Sequence, residues 1–194
     1  MHMIHKIANK AGIEQIVKDQ NKITRRFKLL NIAYMGIRKL HTDQTGVATV
    51  DSGIEAGSIL TLPRGENLIV SVVVTDYHRG NPIRLTLDLV ECNRTVTVIR
   101  QTVTKTPQGG IAGHSDETLY RCIPVKIGTV LQIRDTDNDA SVSQFGMLLS
   151  TKYPVKQGDR LVFDAHYEDA KVESIKLNYE GIYEITFDKD PRWT

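Results

Sequence analysis

The side chains best suited to catalysis in this chain stand together in the segment AGHSDET, which holds His114, Ser115 and Asp116. A nucleophilic triad needs these three residue types to converge from separate elements, with the histidine between the other two. Consecutive residues cannot adopt that geometry, because their side chains leave the backbone in different directions. The segment therefore predicts a polar loop rather than a hydrolytic site, and no enzyme activity is predicted.

The acidic run DTDND places Asp135, Asp137 and Asp139 at the alternating spacing of a calcium-binding loop. Such a loop also needs glycine at its sixth position and a bidentate glutamate at its twelfth. Counted from Asp135, these positions hold Ala140 and Gly146. The six histidines form no HxH or HExxH pair. We therefore predict a solvated acidic loop and no metal site.

Glycine and cysteine likewise predict no cofactor. The segment PQGGIAG, with Gly109, Gly110 and Gly113, lacks the lysine and the flanking elements of a phosphate-binding loop, and is typical of a hairpin tip. Cys92 and Cys122 lie thirty positions apart without a CxxC motif. Two reduced thiols are the favoured interpretation, and a single disulfide is the alternative.

Composition and charge are those of a folded protein with an uneven charge distribution. The chain has 194 residues, 40% hydrophobic and 25% charged, with a net charge of +2, which suits one domain or two small ones. Apolar runs are too short to cross a bilayer, so no membrane partner is predicted. Residues 1–43 hold nine basic and three acidic residues, whereas the remainder holds 16 basic and 20 acidic. A basic arm favours an acidic partner, either nucleic acid or another subunit.

Hydrophobic spacing in residues 1–43 predicts a helical arm. Apolar residues recur at steps of three, four and seven, which places them on one stripe of a helix. The stripe consists of Ile16, Ile23, Phe27, Leu30, Tyr34 and Ile37. We expect this arm to serve assembly, and its removal to leave the rest of the protein folded. The candidate assembly residues are Lys18, Lys22, Arg25, Arg26, Phe27 and Tyr34.

From residue 46 onward the pattern changes to short strands. Segments such as RLTLDLV alternate apolar and polar residues, with Leu85, Leu87 and Leu89 on one side, and turn residues separate the segments. The predicted fold class is mainly β, a small β-barrel or sandwich with a helical N-terminal extension. The predicted parts are an arm over 1–43, a β-rich segment over 46–90, and a β-barrel over 91–194. The β-rich segment belongs either to the same barrel or to a docking domain.

Residues 95–188 carry an ordered set of strand and turn patterns. TVTVIRQT leads into the Gly-rich segment TPQGGIAGHSDETLYRCIPVKI, and a long middle insertion follows. VKQGDRLVFD then supplies a turn and a strand, and AKVESIKLNYEGIYEITF a closing pair. This half of the chain resembles the head–tail adaptor family of tailed bacteriophages, the head-closure or stopper proteins of the virion neck. The chain departs from the family in its length and in residues 1–90.

The resemblance implies a structural protein that forms an oligomeric ring between portal and tail, closes the DNA channel and offers a surface for tail docking. Implied partners are further copies of the chain, a portal or adaptor ring, tail-terminator or other tail proteins, and the packaged DNA. The implied location is the virion, assembled in the host cytoplasm. Channel or partner contacts are expected from two loops, 106–117 and 134–144. Their candidate residues are Thr106, Gln108, Gly109, Gly110, His114, Asp135, Asp137 and Asp139.

Two other classes of function stay open on the sequence. A nucleic-acid-binding β-barrel with a basic N-terminal arm is the main alternative, and it would act through phosphate contacts with a steep salt dependence. A small hydrolase with scattered site residues is the third.

Overall fold

The computed structural model describes residues 13–19, 24–30, 44–128, 131–134, 141–144, 146–164 and 169–189. Within these ranges the chain is mainly β, with fourteen strands and one short 3-10 turn, Val50–Ser52. The strands form two closed six-stranded barrels and one two-stranded sheet. The mainly β part of the predicted fold class is therefore confirmed.

The first barrel contains the first six strands in the order β1-β2-β3-β6-β5-β4, and pairing of β1 with β4 closes it. Neighbouring strands are antiparallel throughout. Their bounds are β1 Ile13–Asp19, β2 Thr24–Leu30, β3 Gln44–Ala48, β4 Ile59–Thr61, β5 Asn67–His78 and β6 Asn81–Glu91.

The predicted helical arm is wrong wherever the structure describes that segment, because β1 and β2 are strands. Their backbones pair with one another, and β2 also pairs with β3, Phe27 lying opposite Ala48. Isoleucine, valine, threonine and phenylalanine in these segments suit a pleated strand. The apolar spacing was compatible with a helix, but pairing inside a closed barrel outweighs that local preference. Ile23, Tyr34 and Ile37 lie outside the described residues.

The core of the first barrel is a cluster of buried apolar side chains in which leucine predominates. Leu85, Leu87 and Leu89 are buried, as the alternation in β6 predicted. The cluster comprises Ala48, Ile54, Leu60, Leu62, Leu68, Val70, Leu85, Leu87 and Leu89. Each fully buried leucine contributes about 1.5–3 kcal/mol of hydrophobic stabilisation.

A β-bulge in β5 places a polar residue, Ser71, in this buried region. The register of β5 against β6 shifts between Val70 and Val72, which leaves Ser71 as the extra residue. Its side chain is 2% exposed, and its hydroxyl donates to the carbonyl of Asp88 at 2.9 Å. The bulge therefore keeps its polar groups hydrogen-bonded inside the protein.

The second barrel contains six later strands in the order β11-β14-β13-β12-β7-β8. Their bounds are β7 Arg94–Lys105, β8 Ile111–Ile127, β11 Gly146–Ser150, β12 Arg160–Phe163, β13 Ala170–Tyr179 and β14 Ile182–Lys189. The remaining strands, β9 Leu131–Arg134 and β10 Ser141–Gln144, pair only with each other among the described residues. Buried apolar residues of the second barrel include Val96, Val98, Ile123, Val125, Leu161 and Val172.

The chain divides into two compact units near residue 92. One unit contains Met1–Cys92 with the short segments Ser150–Lys152 and Tyr179–Ile182, and the other contains the remainder. The first unit thus includes strands from both the predicted arm and the β-rich segment over 46–90. Among the described residues, no helix is long and apolar enough to cross a membrane.

Gly181 fills the tightest backbone position of the first unit. Its N–H donates to the carbonyl of Ser71 at 3.0 Å, and its carbonyl accepts from the N–H of Thr151 at 3.0 Å. A Cβ placed on Gly181 would lie 2.1 Å from the carbonyl oxygen of Val70 and 2.3 Å from the N atom of Gly57. Only glycine fits so close an approach of two backbones.

Candidate assembly surface

An exposed regular feature of the second unit is the distal part of the β7–β8 hairpin, residues 100–118, hereafter the ribbon. Strand β12 pairs with β7 only as far as Ile99, and β11 pairs with β8 only at Lys126 and Ile127. Beyond those points the described residues supply no third strand. Five residues of strand, 101–105, reach about 17 Å from the barrel before the turn begins.

The ribbon is exposed on both faces. In its register Gln101 lies opposite Asp116, and Thr102 lies opposite Ser115. Successive pairs point to opposite faces, yet Thr102, Ser115 and Asp116 are all exposed, and Val103 is 45% exposed. A two-sided exposed ribbon has no core to cover, so its surfaces are available for contact with another molecule.

The ribbon holds its shape through cross-strand side-chain bonds. The hydroxyls of Thr102 and Ser115 are 2.7 Å apart, and Nε2 of Gln101 donates to Oδ1 of Asp116 at 3.3 Å. At the tip, the N–H of Thr106 donates to the carbonyl of Gly110 at 2.7 Å. The amide of Gly110 in turn donates to Oγ1 of Thr106 at 2.9 Å. Gly109 has a φ of 84°, which the turn requires.

Two bulges in β8 mark the base of the ribbon. The register of β8 against β7 shifts once between Val96 and Val98 of β7, and a second time between Val98 and Ile99. Cys122, in the first of these bulges, has a φ of 50°, and its N–H donates to Oγ1 of Thr97 at 3.3 Å. Bulges bend a strand and increase its twist, so they set the direction in which the ribbon leaves the barrel.

A bidentate ion pair fixes the β7 side of the base. Arg100 donates from Nε to Oδ1 of Asp159 at 2.9 Å and from Nη2 to Oδ2 at 2.7 Å. The Asp159 side chain is 3% exposed and that of Arg100 is 27% exposed. Oδ2 of Asp159 also accepts from the backbone N–H of Lys156 at 2.8 Å. The hydrogen bonds to Asp159 raise the pKa of Arg100 above its usual value, so the guanidinium stays charged.

The turn before β12 is shaped to present Asp159. Gly158 has a φ of 91°, and the N–H of Asp159 donates back to the carbonyl of Lys156 at 3.1 Å. The N–H of Val172 donates to the carbonyl of Asp159 at 2.9 Å. The Gly-Asp turn within VKQGDRLVFD therefore positions a buried carboxylate under the ribbon.

An aromatic pair lies on the β8 side. The rings of Tyr120 and Tyr153 meet edge to face, with centroids 5.2 Å apart. Burial, with a smaller contribution from Tyr120, raises the pKa of Tyr153. Such pairs contribute about 0.5–1.5 kcal/mol beyond the area they bury. Both strands of the ribbon are thus anchored where they leave the barrel.

The structure partly corrects the predicted loop over residues 106–117. Thr106, Gln108, Gly109 and Gly110 do form the turn at the ribbon tip. His114, however, lies in β8 opposite Val103, and residues 111–117 are strand. The Gly-rich composition favoured a loop, but regular pairing with β7 holds these residues in the ladder. The other predicted contact residues, Asp135, Asp137 and Asp139, lie outside the described residues.

The candidate assembly-arm residues are distributed over two strands of the first barrel. Lys18 is in β1, opposite Thr24 of β2 and Thr61 of β4. Arg25, Arg26 and Phe27 are in β2. Lys22 and Tyr34 lie outside the described residues. The four described positions therefore belong to the barrel wall and not to a separate helix.

A second hairpin exposes apolar side chains on the first unit. Tyr77 is 66% exposed and Ile83 is 50% exposed, near the turn between β5 and β6. Below them, Asp76 accepts hydrogen bonds from Nε of Arg84 at 2.7 Å and from the Thr86 hydroxyl at 2.9 Å. The sequence patterns predicted the two strands of this hairpin and the turn between them, but neither its exposed apolar side chains nor the Arg100–Asp159 pair.

Groups of three or more His, Cys, Asp and Glu side chains placed to hold a metal ion do not occur among the described residues. Neither cysteine there forms a disulfide, and Cys122 is exposed whereas Cys92 is half-buried. Comparisons with protein-family models, curated proteins and solved structures returned no match to this chain.

Proposed function

We propose that this protein is a non-enzymatic structural component of a tailed-phage virion, a neck protein that forms a ring between portal and tail. The sequence patterns that resemble the head–tail adaptor family correspond to β7, β8, β12, β13 and β14 of the second barrel. A ring that closes the DNA channel needs a stiff subunit with projections that reach its neighbours, and a closed barrel with an anchored ribbon has both properties.

The exposed ribbon is the observation that carries the proposal. A ring requires each copy to present two different and complementary surfaces, because its contacts are heterologous. The ribbon offers two such surfaces, the outer side of β7 and the outer side of β8. Its anchors, Arg100 with Asp159 and Tyr120 with Tyr153, hold those surfaces in a fixed direction. Surfaces fixed before association lower the entropic cost of assembly.

The charges of the ribbon favour protein contacts over nucleic-acid contacts. A ribbon that binds phosphates carries clustered lysine and arginine. Residues 100–118 contain two basic residues, Arg100 and Lys105, and two acidic residues, Asp116 and Glu117, and Arg100 is already paired with Asp159. At this charge the ribbon gains little from counterion release on DNA.

Electron microscopy of the purified full chain tests the proposal. We expect closed rings with a central opening, and we expect them to persist after nuclease treatment. A matched titration of fluorescent duplex DNA at two salt concentrations distinguishes the main alternative. A monomer whose DNA affinity falls steeply with salt would contradict the ring proposal and support a nucleic-acid-binding barrel.

A further inference from the structure

The two strands of the ribbon leave two backbone edges open. In the part of the chain that the structure describes, no third strand pairs with residues 100–105 of β7 or with residues 111–118 of β8. In an antiparallel pair, alternate residues of each strand direct their N–H and C=O groups outward. Each edge therefore presents a row of donors and acceptors ready to extend the sheet.

The register makes these edges suitable for extension. From the pair Ile99–Thr118 to the pair Thr104–Gly113 the ladder runs without a shift. The bulges lie on either side of this stretch, toward the barrel and between Thr104 and Lys105. Natural proteins use bulges and charges to protect exposed edges, and here the regular stretch lies between two such interruptions. A partner strand can pair over about six residues and no farther.

The two edges carry opposite charge. The β7 segment RQTVTK contains Lys105 and no acidic residue, its Arg100 being paired with Asp159, whereas the β8 segment IAGHSDET contains Asp116 and Glu117 and no basic residue. Asp116, Glu117 and Lys105 are all exposed. Like charges opposite each other destabilise a strand pair, and unlike charges stabilise it. Pairing of two β7 edges or of two β8 edges is therefore disfavoured.

We propose that the β7 edge of one copy pairs with the β8 edge of a second copy, residues 100–105 against residues 111–118. The strands are antiparallel when both ribbons point the same way, so the contact continues the ladder already present in each ribbon. The contact is heterologous, since each copy uses one edge and keeps the other for a third copy. It rests on the proposed function, because it identifies the contact through which the ring closes.

A ribbon-trimmed variant tests this contact directly. Replacing residues 102–115 by Asn-Gly joins the paired residues Gln101 and Asp116 through a two-residue hairpin turn. The base with its Arg100–Asp159 pair is retained, so the circular-dichroism spectrum and melting temperature serve as the folding control. We expect sedimentation velocity to show a monomer at ~100 times the concentration at which the full chain assembles.

Charge variants test which edges meet. Asp116→Lys places a basic residue on the acidic edge, and we expect it to weaken assembly about fivefold at low salt. Glu66→Lys makes the same charge change at an exposed turn of the first unit and should leave assembly unchanged. Adding Glu117→Lys to Asp116→Lys makes the β8 edge basic, and adding Lys105→Glu to these two changes makes the exposed charge of the β7 edge acidic, so the triple variant should recover most of the loss. A triple variant that assembles less well than the Asp116→Lys, Glu117→Lys double variant would overturn the β7–β8 pairing.

The outcomes separate this inference from the proposed function. If the folded trimmed variant forms rings as readily as the full chain, the edge contact is wrong and the ring proposal stands. If the full chain stays monomeric at every concentration, both are wrong.

Amide exchange of the assembled full chain tests the pairing independently. Residues 100–105 and 111–118 should exchange at least about tenfold more slowly than in the diluted monomer, and unchanged exchange would contradict the pairing.

Discussion

Arg100 and Asp159 form a bidentate ion pair between positions 59 residues apart in the chain. The carboxylate of this pair is almost fully buried. Asp159 lies in the turn before β12, and Arg100 lies where β7 passes beyond the edge of its neighbour. The pair therefore links the base of the ribbon to the barrel wall. Bidentate arginine–carboxylate pairs fix geometry as well as charge.

Removing one partner of this pair should destabilise the protein. Arg100→Ala leaves a buried carboxylate with only a backbone donor, and we expect the free energy of unfolding to fall by about 2–3 kcal/mol. The matched control is Lys152→Ala, which breaks the exposed contact between Lys152 and Glu55 and should cost less than about 1 kcal/mol. Urea unfolding measures both. Equal losses in the two variants would show that Asp159 is not the anchor described here.

Gly181 should not tolerate even a methyl group. In Gly181→Ala the new Cβ would overlap the Val70 carbonyl, and relief requires the two backbones to separate. We expect a loss of about 3 kcal/mol or more, seen as a lower melting temperature. Gly113→Ala, at a position with no atom within 4 Å of the added Cβ, is the control and should melt close to the parent. A well-folded Gly181→Ala variant would contradict the close approach.

Tyr153 should make the protein sensitive to alkali. Its folded-state pKa is raised by burial, above the usual value near 10 of an unfolded tyrosine. The neutral phenol thus contributes stability that is complete below pH ~10 and is lost as the pH rises through the folded pKa, because the unfolded chain releases its proton first. The free energy of unfolding, measured with denaturant between pH 9 and 11, should fall less steeply with rising pH for Tyr153→Phe than for the parent. Tyr77→Phe, at a side chain 66% exposed, should retain the parent slope.

Truncation of residues 1–43 should disrupt the first barrel, contrary to the expectation from the sequence. The shortened chain lacks β1 and β2, which are two of the six strands, so β3 and β4 each keep one neighbouring strand instead of two. We expect loss of β signal in circular dichroism and a less cooperative unfolding transition. A control that removes only residues 1–12 retains both strands, so it separates the loss of β1 and β2 from the effect of shortening the chain. A stable, fully β truncation at residue 43 would refute the role of β1 and β2 in the wall.

Local sequence patterns predicted the strands well where one face is buried. Leu85, Leu87 and Leu89 alternate with more polar residues and are buried as predicted. Asp88 is buried as well, because the strand has covered side chains on both faces at this level. Alternation reports the core face of a strand but not what covers the opposite face.

Predictions of secondary structure and of contacts from the sequence were wrong or missing where interactions between residues far apart in the chain decide the structure. The apolar spacing around Ile16 and Phe27 fits a helix, and only pairing with β3 and β4 selects strands. The Gly-rich composition before His114 predicts a loop, yet β7 pairs with β8 as far as the pair Lys105–Ile111. Arg100 and Asp159 are ordinary residues in their own segments, so no local signal predicts that they meet. Turn chemistry did locate Gly158, whose positive φ places Asp159.

Assembly of copies of this chain into a closed ring can be followed by measuring mass in solution. Mass photometry of the purified full chain, from nanomolar to micromolar concentration at physiological salt, would follow the 21.8 kDa monomer. As the concentration rises, we expect the monomer to be replaced by a species of one fixed larger mass. A closed ring has a defined number of subunits, so intermediate masses should not accumulate. A monomer at every concentration, or a continuous ladder of growing masses without a preferred size, would contradict assembly into a closed ring.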